Sequence, residues 1–176
     1  MQQTTQLPTI KVVGIKTRTN TASEMNPATS KIGETVQKYF QNALSEKMIY
    51  RKKPGTTYCC YTDYESDLSG DYTFFMGEEV SSFDDLPEGF STLTIPAQQY
   101  TTFTSNPGPM PDVCINLWQK IWTIPPETLG GTRSYETDFE LYDERAKDPK
   151  NTVLDIYIGM KTSAPCVRKV VAYEVN

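Results

Sequence analysis

No histidine occurs among the 176 residues. That absence excludes Ser-His-Asp and Cys-His nucleophile pairs, imidazole metal ligands and a histidine general base. A four-cysteine zinc site is excluded as well, because no C-x-x-C pair occurs among Cys59, Cys60, Cys114 and Cys166. No metal ligand set and no cofactor is expected. GxGxxG, P-loop and GxSxG patterns are missing too. No apolar run approaches a membrane span, and "MQQTTQLPTI" has neither a basic nor an apolar leader region. Cys59 and Cys60 are neighbours on a strand-like run and should face opposite ways, so they are poor disulfide partners. A reducing, cytoplasmic setting is the expectation. A basic face is also lacking. The net charge is −5, which disfavours a phosphate-binding surface. The one basic cluster, Arg51-Lys52-Lys53, is expected to complement a helix C-terminus and stay hydrated.

What is present points to one compact α+β domain. Apolar residues make up 38 % and charged residues 22 %, enough for a core and too little charge for disorder. Eleven tyrosines suit either a wet pocket or an ordinary β-rich core. A strand is predicted over Ile10–Arg18. A helix follows from the Asn26-Pro27 cap to about Lys47, with an Ile32, Val36, Phe40 and Leu44 stripe. "TYCCYTDY" (57–64) and "YTFFMGEEVS" (72–81) read as a hairpin. The pattern then repeats. "QQYTTFTS" (98–105) is a strand, and Pro111 opens a helix that Pro125-Pro126 stops. "DFELYDER" (138–145) and "VLDIYIGM" (153–160) close the second half.

Gln37-Lys38 matches Gln119-Lys120, Cys60-Tyr61 matches Leu141-Tyr142, and Gly77 matches Gly159. These offsets predict duplicated β-α-β-β halves, about 7–83 and about 95–161, within a single domain spanning 1–176, with a C-terminal extension at 162–176. The halves should form a pseudo-twofold antiparallel sheet with two helices on one face. Strand alternation predicts that Phe139, Leu141, Leu154, Ile156 and Ile158 lie under the helices. Glu140, Tyr142, Asp155 and Tyr157 should share the other face, joined through the repeat by Cys59, Tyr61, Thr73 and Phe75. Trp118 and Trp122, four apart on the second helix, read first as core, with one edge at a pocket wall.

"YTDYESDLSGDYTFFMGEEV", Tyr61–Val80, resembles the strand-loop-strand signature of GyrI-like small-molecule-binding domains, which also serve AraC-type and MerR-type regulators as effector-binding domains. "LPTIKVVGIKTRT", "IPAQQYTTFTS", "LWQKIW" and "DFELYDER" are similar to four further stretches of that family, over roughly residues 7–161. In length, the chain looks similar to stand-alone integron cassette proteins. The resemblance implies a pocket near the pseudo-twofold axis that takes lipophilic organic cations among aromatic side chains and a buried glutamate, here Glu140. Tyr142, Tyr61, Phe75, Tyr157, Trp118 and Trp122 are the accompanying aromatic candidates. Without the resemblance, Glu140 reads as a surface or ion-paired residue. With it, the chain reads as a non-enzymatic binder of amphipathic cations that senses or sequesters drugs, with a second copy or a separate regulator protein as partner. The chain leaves no room for a helix-turn-helix, so no direct nucleic-acid contact is expected. Two alternatives remain: a GyrI-like hydrolase with Glu140 as general base, and a protein-interaction module of the gyrase-inhibitor type. "SAPCVRKVVAYEVN" departs from the family ending and reads as an edge strand or a subunit contact.

Overall fold

The computed structural model describes residues 2–161; the C-terminal extension and Cys166 lie outside the described residues. Eight strands build one sheet: β1 (Gln2–Leu7), β2 (Ile10–Thr19), β3 (Thr57–Thr62), β4 (Tyr72–Glu79), β5 (Ser91–Ile95), β6 (Gln98–Thr104), β7 (Thr137–Tyr142) and β8 (Asp155–Met160). Their spatial order is β1-β6-β8-β7-β3-β4-β2-β5, with every neighbouring pair antiparallel. The helices are α1 (Thr21–Glu24), α2 (Ile32–Gln41), α3 (Asp112–Trp122) and α4 (Pro126–Leu129). The order β2-α2-β3-β4 recurs as β6-α3-β7-β8, and the sheet reads symmetrically about the central β7–β3 pair. The α+β architecture is the one expected.

Two strands were not expected. β1 and β5 pair across the halves, β1 with β6 and β5 with β2. Only Pro8-Thr9 separates β1 from β2, and only Pro96-Ala97 separates β5 from β6. Links that short reach roughly 10 Å at ~3.3–3.6 Å per residue, yet they join opposite ends of the sheet. The sheet must therefore curl until its ends meet. Val12, Tyr58, Cys60, Phe75, Ile95, Tyr100 and Phe139 fill the inside of the curl. Both longer helices pack on the outside, α2 through Tyr39 and α3 through Leu117, Trp118 and Ile121.

The helical region of the first half differs from the expected single helix. Asn20, not Asn26, supplies a cap, its side chain accepting from Ser23 N–H at 2.8 Å to start α1. α2 begins only at Ile32. Its free N-terminal amides are met by Glu24, which accepts from Lys31 N–H at 3.0 Å and Ile32 N–H at 3.3 Å. Ala43 then takes a left-handed conformation (φ 46°), which ends α2 and leaves a short 3-10 turn at Leu44–Lys47. The basic cluster also finds partners other than a helix end: Lys52 pairs with Glu79 at 2.7 Å and Arg51 with Glu78 at 3.6 Å.

The predicted faces need correcting. Alternation holds within every strand, but the register between strands sets their relative phase. Glu140 lies opposite Ile156, and Phe139 lies opposite Tyr157. Tyr61 lies opposite Phe74, and Cys60 opposite Phe75. So Ile156 and Ile158 share the outer, helix-covered face with Glu140, Tyr142, Tyr61 and Cys59. Phe139, Leu141, Tyr157 and Phe75 lie inside the curl, where Phe139 and Tyr157 stack with ring centroids 4.5 Å apart. Cys59 and Cys60 do face opposite ways, one in each cluster.

Gly14 and Gly77 allow the two backbones of β2 and β4 to approach. A Cβ on either would meet a carbonyl oxygen of the facing strand at 2.0 Å.

Candidate functional site

Between α2 and α3 the outer face of the sheet stays uncovered, and a cavity of about 1020 Å³ opens there. Its floor is built from alternate residues of three central strands: Cys59 and Tyr61 of β3, Phe74 and Met76 of β4, and Glu140 and Tyr142 of β7. One wall is the Ile32, Val36 and Phe40 stripe of α2, spaced four apart so that it points one way. The other is Ile115, Trp118, Gln119 and Trp122 of α3.

Glu140 is 3 % exposed. Its Oε1 accepts from Trp118 Nε1–H at 2.6 Å and from the Tyr61 hydroxyl at 2.8 Å, and its Oε2 accepts from the Tyr142 hydroxyl at 2.7 Å. Trp118 can only donate, so this bond fixes the direction at Oε1. Among the described residues no Lys or Arg forms an ion pair with Glu140. The Tyr142 hydroxyl also lies 3.4 Å from Cys114 Sγ. One hydroxyl has one proton; the shorter contact to Oε2 takes it, leaving the thiol to donate to the phenolic oxygen. Burial, and after it the Glu140 carboxylate, pushes the Tyr61 and Tyr142 phenols well above their ordinary range, and likewise the thiols of Cys59 and Cys114. The phenols therefore stay protonated donors at neutral pH.

Of the other charged groups around the cavity, Lys147 is exposed, and Arg133, Glu24 and Asp143 are committed. Arg133 forms a buried ion pair with Asp138, which also accepts from the Tyr64 hydroxyl at 2.8 Å and from Gly159 N–H at 2.8 Å. Its guanidinium sits 4.7 Å from the Tyr135 ring centroid. Glu24 accepts from Ser30 at 2.9 Å besides capping α2, and Asp143 is bound by Arg145 at 2.8 Å. Glu140 alone among these acids is buried with only neutral donors; Glu24, also held by hydroxyls and amides, is half-buried.

Of the residues singled out from sequence, the structure brings Glu140, Tyr142, Tyr61, Trp118 and Trp122 to one cavity. Trp118 is buried and Trp122 is 52 % exposed at the mouth. Phe75 and Tyr157 are not there, since both belong to the inner cluster. Their places are taken by Phe74, by Met76 and by Tyr72, whose ring centroid lies 5.7 Å from that of Tyr61. The sequence reading missed Phe74 because it chose the wrong residue of the Phe74-Phe75 pair. It missed the buried Arg133–Asp138 pair because no local spacing marks it.

A pseudo-twofold α+β sheet carrying an aromatic cavity over a buried glutamate defines a domain of the effector-binding class. The chain belongs to the family of integron-associated effector-binding proteins, whose model it matches over residues 3–160. It is 30 % identical to an integron cassette protein from the mobile metagenome of Vibrio cholerae. That structure superposes with a TM-score of 0.72, covering 91 % of this chain and 95 % of the other. It is 29 % identical over 157 residues to Bacillus subtilis (strain 168) YobU, named as a transcriptional regulator, covering 89 % and 96 % of the two chains. SAV2435, solved bound to tetraphenylphosphonium, shares the fold with a TM-score of 0.72 at 17 % identity, over 92 % of this chain and 94 % of that one. Among the described residues no helix is long and apolar enough to cross a membrane.

Proposed function

We propose that the protein binds amphipathic organic cations in the cavity between α2 and α3, without chemical turnover, as a sensing or sequestering module. The observation that carries this reading is Glu140: a buried carboxylate with neutral donors only, at the floor of an aromatic cavity. Glu140 sits on β7, one of the two central strands of the sheet. Tyr61, Tyr142, Trp118 and Trp122 supply the stacking surface, and cation–π attraction adds about 0.5–2 kcal/mol for a desolvated ring. The tetraphenylphosphonium bound by SAV2435 is a cation of this class. Glu140 already accepts from three donors, which suits a fixed counter-charge better than a base that must take a proton from substrate.

Titration of the pure protein with tetraphenylphosphonium tests the reading. Charges ~5–6 Å apart at an effective dielectric of about 20 attract by roughly 3 kcal/mol. Glu140→Gln keeps the shape and removes the charge, so its affinity should drop by about tenfold to a hundredfold. Equal affinity in wild type and variant sinks the role given to Glu140.

A further inference from the structure

The donors around Glu140 also bear on which cations suit the site. A carboxylate offers about four acceptor positions. Tyr61, Trp118 and Tyr142 occupy three. The Cys114 thiol lies 3.4 Å from the Tyr142 hydroxyl. The other two acids that line the cavity are also spoken for. Glu24 accepts from Thr19, Ser30 and two backbone amides, and Asp143 from Arg145.

We propose that this ring of donors makes the site selective for cations without N–H groups, such as quaternary ammonium and phosphonium ions, over primary ammonium ions of the same shape. The proposal rests on the reading of the cavity as a cation site. Its physical basis is hydrogen-bond accounting. A primary ammonium brings three N–H donors out of water, and each needs an acceptor or leaves a desolvation penalty. Glu140 has at most one position left for these three N–H groups, and any further bond to it must displace Tyr61, Trp118 or Tyr142, which orphans a buried donor instead. A quaternary cation has nothing to satisfy. It responds to the charge of Glu140 through space and to the faces of the surrounding rings. Tyr61, Trp118 and Tyr142 thus set specificity by what they deny the ligand as much as by what they touch.

The test uses (4-phenylbenzyl)trimethylammonium and 4-phenylbenzylammonium, both cationic at neutral pH, with tetraphenylphosphonium as a third probe, by calorimetric titration. Wild type should prefer the quaternary probe by about tenfold or more, the cost of one unmet buried donor. The extra methyl groups bias that ratio by themselves, so the decisive quantity is its change between proteins. Tyr142→Phe and Tyr61→Phe each keep a ring and release one acceptor position on Glu140. In at least one of them the preference should fall by about threefold or more, through tighter binding of the primary amine. Equal binding of both probes by wild type, or a ratio unmoved in both variants, overturns the proposal while leaving the cation site standing if tetraphenylphosphonium still binds. Failure of all three probes to bind overturns both.

Discussion

Trp118 on α3 donates its indole N–H to Oε1 of Glu140 on β7 at 2.6 Å, so one bond ties the cavity wall to its floor. The same oxygen holds Tyr61, whose ring centroid lies 5.3 Å from that of Trp118 in an edge-on contact. Wall, floor and charge are therefore one unit.

Trp118→Phe removes the N–H and keeps an aromatic ring. A buried bond to a charged acceptor contributes about 1.5–3 kcal/mol. A chain of this length loses about 2–4 °C in Tm per kcal/mol, so a fall of about 3–12 °C is expected in a thermal melt. A melt unchanged within a degree or so would show that the bond does not hold α3 to the sheet.

Trp122 separates the two tasks of α3. It is half exposed and only tilts against Trp118, with centroids 6.2 Å apart. Trp122→Ala should shift stability by no more than about 0.5 kcal/mol, as surface changes do. Losing one ring from the mouth should weaken tetraphenylphosphonium binding by about twofold to fivefold. An affinity matching wild type would remove Trp122 from the site.

Phe75 gives the opposite pattern. It is 1 % exposed and packs inside the curl with Phe139 and Tyr100. Phe75→Leu should cost about 1–3 kcal/mol in a denaturant titration. Its effect on tetraphenylphosphonium affinity should stay within about twofold, because the sheet stands between it and the cavity.

Alkaline pH should unfold the protein through its buried phenols. Tyr61 and Tyr142 are held well above the ordinary value of 10.0 by burial first and the Glu140 carboxylate second. In the unfolded chain both ionise near that ordinary value. The stabilisation is thus complete below about pH 10 and is lost as pH rises beyond it, at about 1.4 kcal/mol per pH unit for each phenol. Denaturant midpoints at about pH 9 and about pH 11 check this, and Tyr61→Phe and Tyr142→Phe should each flatten the drop.

The central strands and α3 were legible because each shows its period without interruption: "TYCCYT" and "TDFELY" alternate, and Val113, Leu117 and Ile121 recur at helical spacing. β1 was not legible. "QQTTQL" has no apolar alternation and becomes a strand because β6 offers it an open edge. The first helix was read too long because Asn26-Pro27 imitates a cap, while the working caps come from Asn20 and from Glu24 across a turn. Glu140 and its neighbours Tyr61 and Tyr142 were placed together on one face from the repeat. Phe75 and Tyr157 went to the wrong face because alternation carries no information across a hairpin, where one residue of slip exchanges the two sides.

The crossed edge strands have a consequence for biogenesis. β1 is made before the seven other described strands, yet its partner β6 is about a hundred residues further along, as the pairing of Gln2 with Phe103 shows. β5 in turn must reach back to β2. Neither half can complete its sheet while it is alone. β1 therefore stays unpaired until β6 has been made, a long-range closure of the kind that slows folding. The earliest of the described strands to be made is among the last to find its partner.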